Sequence, residues 1–277
     1  MDKLKDNKRL TVFAYTTLSL LGIFMVFPFI WMFLSSFKDA DEIYKLALFP
    51  KKPTLDNYVY IFTSRYSKFT LWFMNSLFIA VITTISVLFF DSLLGYTLAK
   101  FSFPGKRIIF IVIISTLMIP TEMLVIPWYS ISVMFKWVDS YWGIMFPGML
   151  SAFGMFLMRQ FMQSIPDDLL DAARIDGQKE FRIFLTVAIP LSTSALATLA
   201  IFNFIGNWNA FFWPLIIASR PQTFTLPVGL ANFSGEAVTE WHLIMTGATL
   251  AMAPLIIIFL IFQQQIIKGI SLSGMKS

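Results

Sequence analysis

Along the chain, apolar residues gather into six long runs separated by shorter polar stretches. The runs cover about Thr11 to Leu34, Thr70 to Ala99, Arg107 to Met134, Tyr141 to Met162, Val187 to Ala218 and Leu243 to Ile267. Each is long enough for a helix to cross a bilayer, which takes roughly 20 apolar residues. A backbone in hydrocarbon must satisfy its own hydrogen bonds, so runs of this length predict helices. The expected fold is all-α: a polytopic bundle of six transmembrane helices forming one domain over residues 1–277. Two runs are marginal. Pro120 and Pro127 flank Glu122 in the third, which predicts a kink or break there, and Asn203, Asn207 and Asn209 interrupt the fifth.

The polar stretch from Pro166 to Pro190, PDDLLDAARIDGQKEFRIFLTVAIP, is the long charged interruption of the second half. Pro166 suits a first helical turn, and Asp167 and Asp168 favour the positive end of the helix dipole. Leu169, Leu170, Ala172, Ala173 and Ile175 supply an apolar side. Gly177 offers the positive φ that ends a helix in a tight turn. Phe181, Phe184 and Leu185 then recur at helical spacing up to Pro190. The pattern predicts a short helix, a turn and a second helix. Such a knob can insert into a soluble partner or lie as an amphipathic loop on lipid headgroups.

Composition sharpens the class. Apolar residues make up 57% of the 277 and charged residues 13%, about half the usual share for soluble domains. The chain has no cysteine, so a disulfide framework and a thiolate metal site are excluded. The net charge of +5 gives no indication of nucleic-acid binding. The basic start MDKLKDNKRL precedes an apolar run too long for a signal peptide, which predicts a retained first span. With both termini cytoplasmic, Lys3, Lys5, Lys8, Arg9, Lys100, Lys106, Arg107, Arg159, Arg174, Lys179, Arg182, Lys268 and Lys276 all fall on that side. Only Lys136 and Arg220 then remain in the later outer loops, the other outer basic residues lying in the long loop from Ser35 to Phe69. This asymmetry favours N-in, C-in and puts residues 164–186 in the cytoplasm.

Catalytic chemistry is poorly supported. No GxxxxGK[ST] phosphate loop occurs, and His242 is the single histidine, beside Trp241 near an outer boundary. Asp91 and Glu122 lie inside apolar runs, where an ionisable group is costly. Asp91 needs a partner from another helix. It is either a buried structural hydrogen bond or a functional group, and Glu122 either caps a broken helix or lines a water-filled opening. Asn203 and Asn207, four apart, share a helix face, with Trp208 and Asn209 following. Amides and indoles suit sugar hydroxyls and the apolar faces of sugar rings, but amides also join helices within a bundle.

The order Asp171-Ala172-Ala173, Arg174, Asp176-Gly177, Phe181 and Ile189-Pro190-Leu191 resembles the EAA loop of ABC-importer permeases, with Asp171 where Glu is usual and Ile189 where Leu is usual. FPFIWMFLSSFK, SLLGYTLAKFSFPGK, MIPTEMLVIPWY, NWNAFFWPL, TLPVGLANF and FQQQIIKGISLSGMKS are similar to permeases of the carbohydrate-uptake ABC family, in particular the six-span second permease of maltose-type importers. That resemblance implies a type I permease fold in a prokaryotic cell membrane, with no cofactor in this chain. It implies a heterodimer with a second permease subunit, two ATP-binding subunits below and an extracytoplasmic sugar-binding protein above. Asp171, Ala172, Ala173, Arg174, Asp176 and Gly177 would form the ATPase-coupling helix, and Asn203, Asn207, Trp208, Asn209, Glu122 and Asp91 are the pathway candidates. The implied cargo is a sugar, with a glycerol-phosphate-type polyol as the variant and an ion-driven secondary transporter as the rival.

Overall fold

Apolar side chains in unbroken series hold the backbone in helices, and helices are what the computed structural model shows across its described residues, 8–234 and 239–274. In chain order they are α1 (Lys8–Ser35), α2 (Asp56–Thr63), α3 (Phe69–Lys100), α4 (Lys106–Ser115), α5 (Val125–Met134), α6 (Tyr141–Met145), α7 (Ala152–Gln163), α8 (Asp167–Ile175), α9 (Glu180–Ile183), α10 (Ile189–Leu191), α11 (Thr193–Trp208), α12 (Phe212–Ile217), α13 (Leu226–Ala231) and α14 (Trp241–Gly274). Lys3, Lys5 and Lys276, which carry part of the charge asymmetry, lie outside the described residues.

Three continuous stretches, Arg9–Ser35, Phe69–Lys100 and Trp241–Gln263, are long and apolar enough to cross a membrane. The other apolar runs are bent. Lys106–Met118 meets Thr121–Met134 at 100°, Tyr141–Gly148 meets Ala152–Gln163 at 43°, and Glu180–Leu191 meets Thr193–Trp208 at 83°. The first bend falls where the prolines predict it. Pro120 disfavours the helical region for the preceding residue, and Ile119 is accordingly extended, with φ −87° and ψ 117°. At the third bend, Pro190 cannot donate to the helix, and a π-helical segment, Phe184–Ala188, precedes the turn at Ser192. The fifth apolar run is therefore not one helix over 187–218. It holds α11, an interruption at Asn209–Phe211 that follows the polar Asn207-Trp208-Asn209, and the short α12.

The described residues divide into two compact units. One gathers the described residues up to Phe69 with those between Leu230 and Ala253. In it the loop after α1 is pinned by Asn57, whose amide donates to the carbonyls of Ser36 (2.9 Å) and Lys38 (2.7 Å). The Lys38 ammonium is fully buried, donates to the Ala47 carbonyl and lies 5.6 Å from the Trp31 ring. A buried ammonium needs such partners to offset desolvation.

The other unit contains Thr70–Gly229 and the described residues from Pro254 on, and α3 is its central element. One core cluster joins Val87 and Tyr96 of α3 to Met158 and Met162 of α7, Leu170 and Ala173 of α8, Ile183 of α9 and Leu199 of α11. A second gathers Ile79, Ile144, Met145 and Ile217. Close helix contact depends on Gly95, where a Cβ would lie 2.8 Å from Met158 Cβ and 2.9 Å from the Arg159 amide nitrogen.

Candidate coupling and translocation sites

The polar interruption folds as its residues predict. Pro166 precedes α8 in an extended conformation, and Asp167 and Asp168 occupy the first turn. At the other end Gly177 has φ +79°. Its N–H donates to the Arg174 carbonyl and that of Gln178 to the Ala173 carbonyl, both at 3.0 Å. This crossed pair is the Schellman ending of a helix, and a side chain at such a left-handed position costs roughly 1–2 kcal/mol. Leu170 and Ala173 are buried in the core, whereas Asp168, Leu169, Asp171, Ala172, Arg174, Ile175 and Asp176 face outward. α8 is thus rooted by one face and presents the other.

Two sets of charged contacts fix α8 to the end of α3. Lys100 donates to the Ile165 carbonyl and, at 2.7 Å, to the Asp167 carboxylate, which the ammonium holds below the usual carboxylate range. Arg174 bridges two carboxylates, Asp171 at 2.6 Å and Glu180 at 2.6 Å. Glu180 in turn accepts the hydroxyl of buried Tyr96 at 3.2 Å. Arg174 and Asp171, read from sequence as groups offered to a partner, are thus engaged within the chain. Sequence reasoning missed Glu180 and Tyr96. The available signal was an acid six residues beyond Arg174, across a glycine turn that brings the chain back.

The pathway candidates separate. Asp91 is buried on α3, and both its carboxylate oxygens lie 3.2 Å from the Ser151 backbone nitrogen. Five residues earlier on the same helix, the Ser86 hydroxyl donates to the Met149 carbonyl at 2.9 Å. The α3 side chains therefore satisfy backbone groups that the 43° bend frees. Glu122 is exposed in the first turn after the 100° break, where a carboxylate suits the helix dipole. Asn203 Oδ1 accepts from Asn207 Nδ2 at 3.0 Å and from the Thr84 hydroxyl of α3 at 3.2 Å. Trp208 faces elsewhere: buried, it stacks on Phe204 (5.9 Å, 10°) and meets Phe73 edge-on (5.2 Å). Asn209 is exposed at the end of α11.

Asn207 lines two cavities. One, of about 190 Å³, includes Thr121, Trp128, Gly148, Trp213 and Thr225, and the other, of about 180 Å³, includes Ser151, Phe202, Asn203 and Gly206. Near the first, Asp139 ties the loop before α6 to the loop after α12. It accepts hydrogen bonds from the Thr223 hydroxyl, the Arg220 guanidinium and the Ser219 and Arg220 amides. Burial raises the Asp139 carboxyl, but these bonds outweigh it and hold it down at about 2. Asp139 and Lys136 both adopt positive φ, 56° and 58°, strain that the clamp helps to sustain. Nothing in the sequence beyond a lone acid between two aromatic segments marked Asp139.

Comparison with known proteins places this architecture. Residues 91–272 match the family described as binding-protein-dependent transport system inner membrane component. The chain is 36% identical over 261 residues to the arabinooligosaccharides transport system permease protein AraQ of Bacillus subtilis (strain 168), covering 93% of this chain and 92% of that protein. It is 33% identical over 276 residues to the sn-glycerol-3-phosphate transport system permease protein UgpE of Escherichia coli O1:K1 / APEC, covering 96% and 98%. A chain of a bacterial ABC transporter involved in the import of the acidic polysaccharide alginate superposes with a TM-score of 0.81 at 24% identity, over 93% of this chain and 98% of that one, so the fold is shared. The chain belongs to the binding-protein-dependent transport system inner membrane component family, the membrane permeases of ABC importers.

Proposed function

We propose that this chain is one half of a heterodimeric channel that imports sugars, crossing the membrane six times with both termini in the cytoplasm. Two ATP-binding subunits drive it from below, and an extracytoplasmic binding protein delivers cargo from above. ATP binding and hydrolysis take place in those partners. The observation that carries the reading is α8: Leu170 and Ala173 root it in the bundle core, while Leu169, Ile175 and the four carboxylates of Asp167, Asp168, Asp171 and Asp176 stand outward. A helix fixed on one face and bare on the other passes rigid motion of a docked ATPase into α3, and so switches the cavity between the two sides of the membrane. Asp171, Ala172, Ala173, Arg174, Asp176 and Gly177 form this coupling element. The engagement of Asp91 with the Ser151 amide supports a structural role for that residue.

The test is uptake of a labelled trisaccharide into cells expressing the importer. Vanadate, which arrests ABC ATPases, should abolish uptake, and an ionophore that collapses ion gradients at constant ATP should leave it intact. Loss with the ionophore and persistence with vanadate would establish the ion-driven alternative.

A further inference from the structure

The cavity of about 190 Å³ carries more than its place beside the clamp. Its walls combine two features that rarely meet inside a bundle. Trp128 and Trp213 stand edge-to-face with centroids 5.6 Å apart, giving a broad aromatic wall. The remaining walls include polar residues. Asn207 spends its Nδ2 on Asn203, and no described residue donates to its Oδ1, which lies 2.9 Å from where a Gly148 Cβ would sit. Thr121 adds a hydroxyl at the rim.

An acceptor such as the Asn207 Oδ1 costs about 1–3 kcal/mol when left unpaired away from water, and a hydroxyl in the cavity offsets that. At about 30 Å³ of liquid per water the cavity has room for several waters, or for one sugar ring in their place. An aromatic wall facing hydroxyl and amide groups matches a pyranose or furanose, whose C–H face is apolar and whose edge is polar. Neither Lys nor Arg lines the cavity. An anionic cargo would therefore find no counter-charge, and Glu122, next to Thr121 in the chain, would repel it.

We propose that this cavity is a subsite for one ring of a neutral sugar, with Trp128 and Trp213 against the C–H face and Thr121 and Asn207 at the hydroxyls. The proposal deepens the sugar-import reading above and rests on it. It assigns substrate contact to this permease subunit, and it selects neutral saccharides over phosphorylated polyols and uronates.

Since the chain has no cysteine, one introduced thiol is the only one in this subunit, and its alkylation is read on this subunit's band. Ala210, which lines it, is replaced by cysteine in the full importer, and alkylation by a maleimide is timed with arabinotriose, maltotriose, glycerol 3-phosphate or no addition. At least one neutral trisaccharide should slow alkylation about fivefold and glycerol 3-phosphate should not, and Trp128→Leu should remove the protection. Protection by glycerol 3-phosphate, no protection by either trisaccharide, or protection that survives Trp128→Leu overturns the subsite while import continues. A wild-type importer that moves no sugar overturns the import reading as well.

Discussion

An Arg174→Ala permease is expected to assemble normally yet to move about tenfold less sugar for each ATP hydrolysed. Exposed ion pairs contribute about 0–1 kcal/mol to stability, so the fold tolerates the loss of the Asp171 and Glu180 contacts. Through Glu180, Arg174 links α8 to the buried Tyr96 of α3, with each hydrogen bond at 3.3 Å or less. On the proposed coupling role its part is positional, and without it α8 would yield under an ATPase stroke before α3 moves. Tenfold corresponds to about 1.4 kcal/mol, less than a fully desolvated charge pair would carry. Arg174→Lys should be intermediate, because a single ammonium cannot hold two carboxylates in the fork a guanidinium provides. Comparing sugar uptake with phosphate release in proteoliposomes checks this. Equal coupling ratios in the wild type, Arg174→Ala and Glu180→Ala would remove the strut from the mechanism.

Gly154→Ala should be among the most damaging single-methyl changes in the chain. The added Cβ would lie 2.2 Å from Asp91 Oδ2 and 2.9 Å from Leu199 Cδ1. Overpacking of this kind costs about 1–3 kcal/mol. Displacing the Asp91 side chain leaves the Ser151 N–H unpaired, about 1–3 kcal/mol. The expected total is about 2–6 kcal/mol, measured as a fall in the thermal midpoint of the detergent-solubilised protein. Asp91→Ala in the same background should recover part of it, since neighbouring sites are not additive. A Gly154→Ala protein with the wild-type midpoint would mean that the carboxylate does not fill that space.

How legible these features were depends on how local their causes are. Pro120 sets the 100° break through its own ring, and Gly177 ends α8 through its own φ, so both could be read from the sequence. The asparagine face was legible from helical spacing, and Asn207 indeed bonds Asn203. The same arithmetic separates Trp208, one residue on and therefore about 100° around the helix, four after the Phe204 on which it stacks. Grouping it with the asparagines overlooked that turn. The partner of Asp91 was illegible, because the Ser151 amide becomes available only when the fourth run bends, and Pro147-Gly148 was the one sign of that bend. Asp139, Glu180 and Tyr96 act through residues many positions away, and no periodicity records such contacts.

The most direct test of α8 as the cytoplasmic coupling element uses Ile175, which is 86% exposed, in this cysteine-free chain. An Ile175→Cys permease is treated with a membrane-impermeant maleimide in right-side-out and inside-out vesicles, with and without the ATPase subunits. Labelling in inside-out vesicles only, blocked when the ATPase subunits are bound, is the predicted result. Labelling in right-side-out vesicles would place the helix outside the cell and contradict the account.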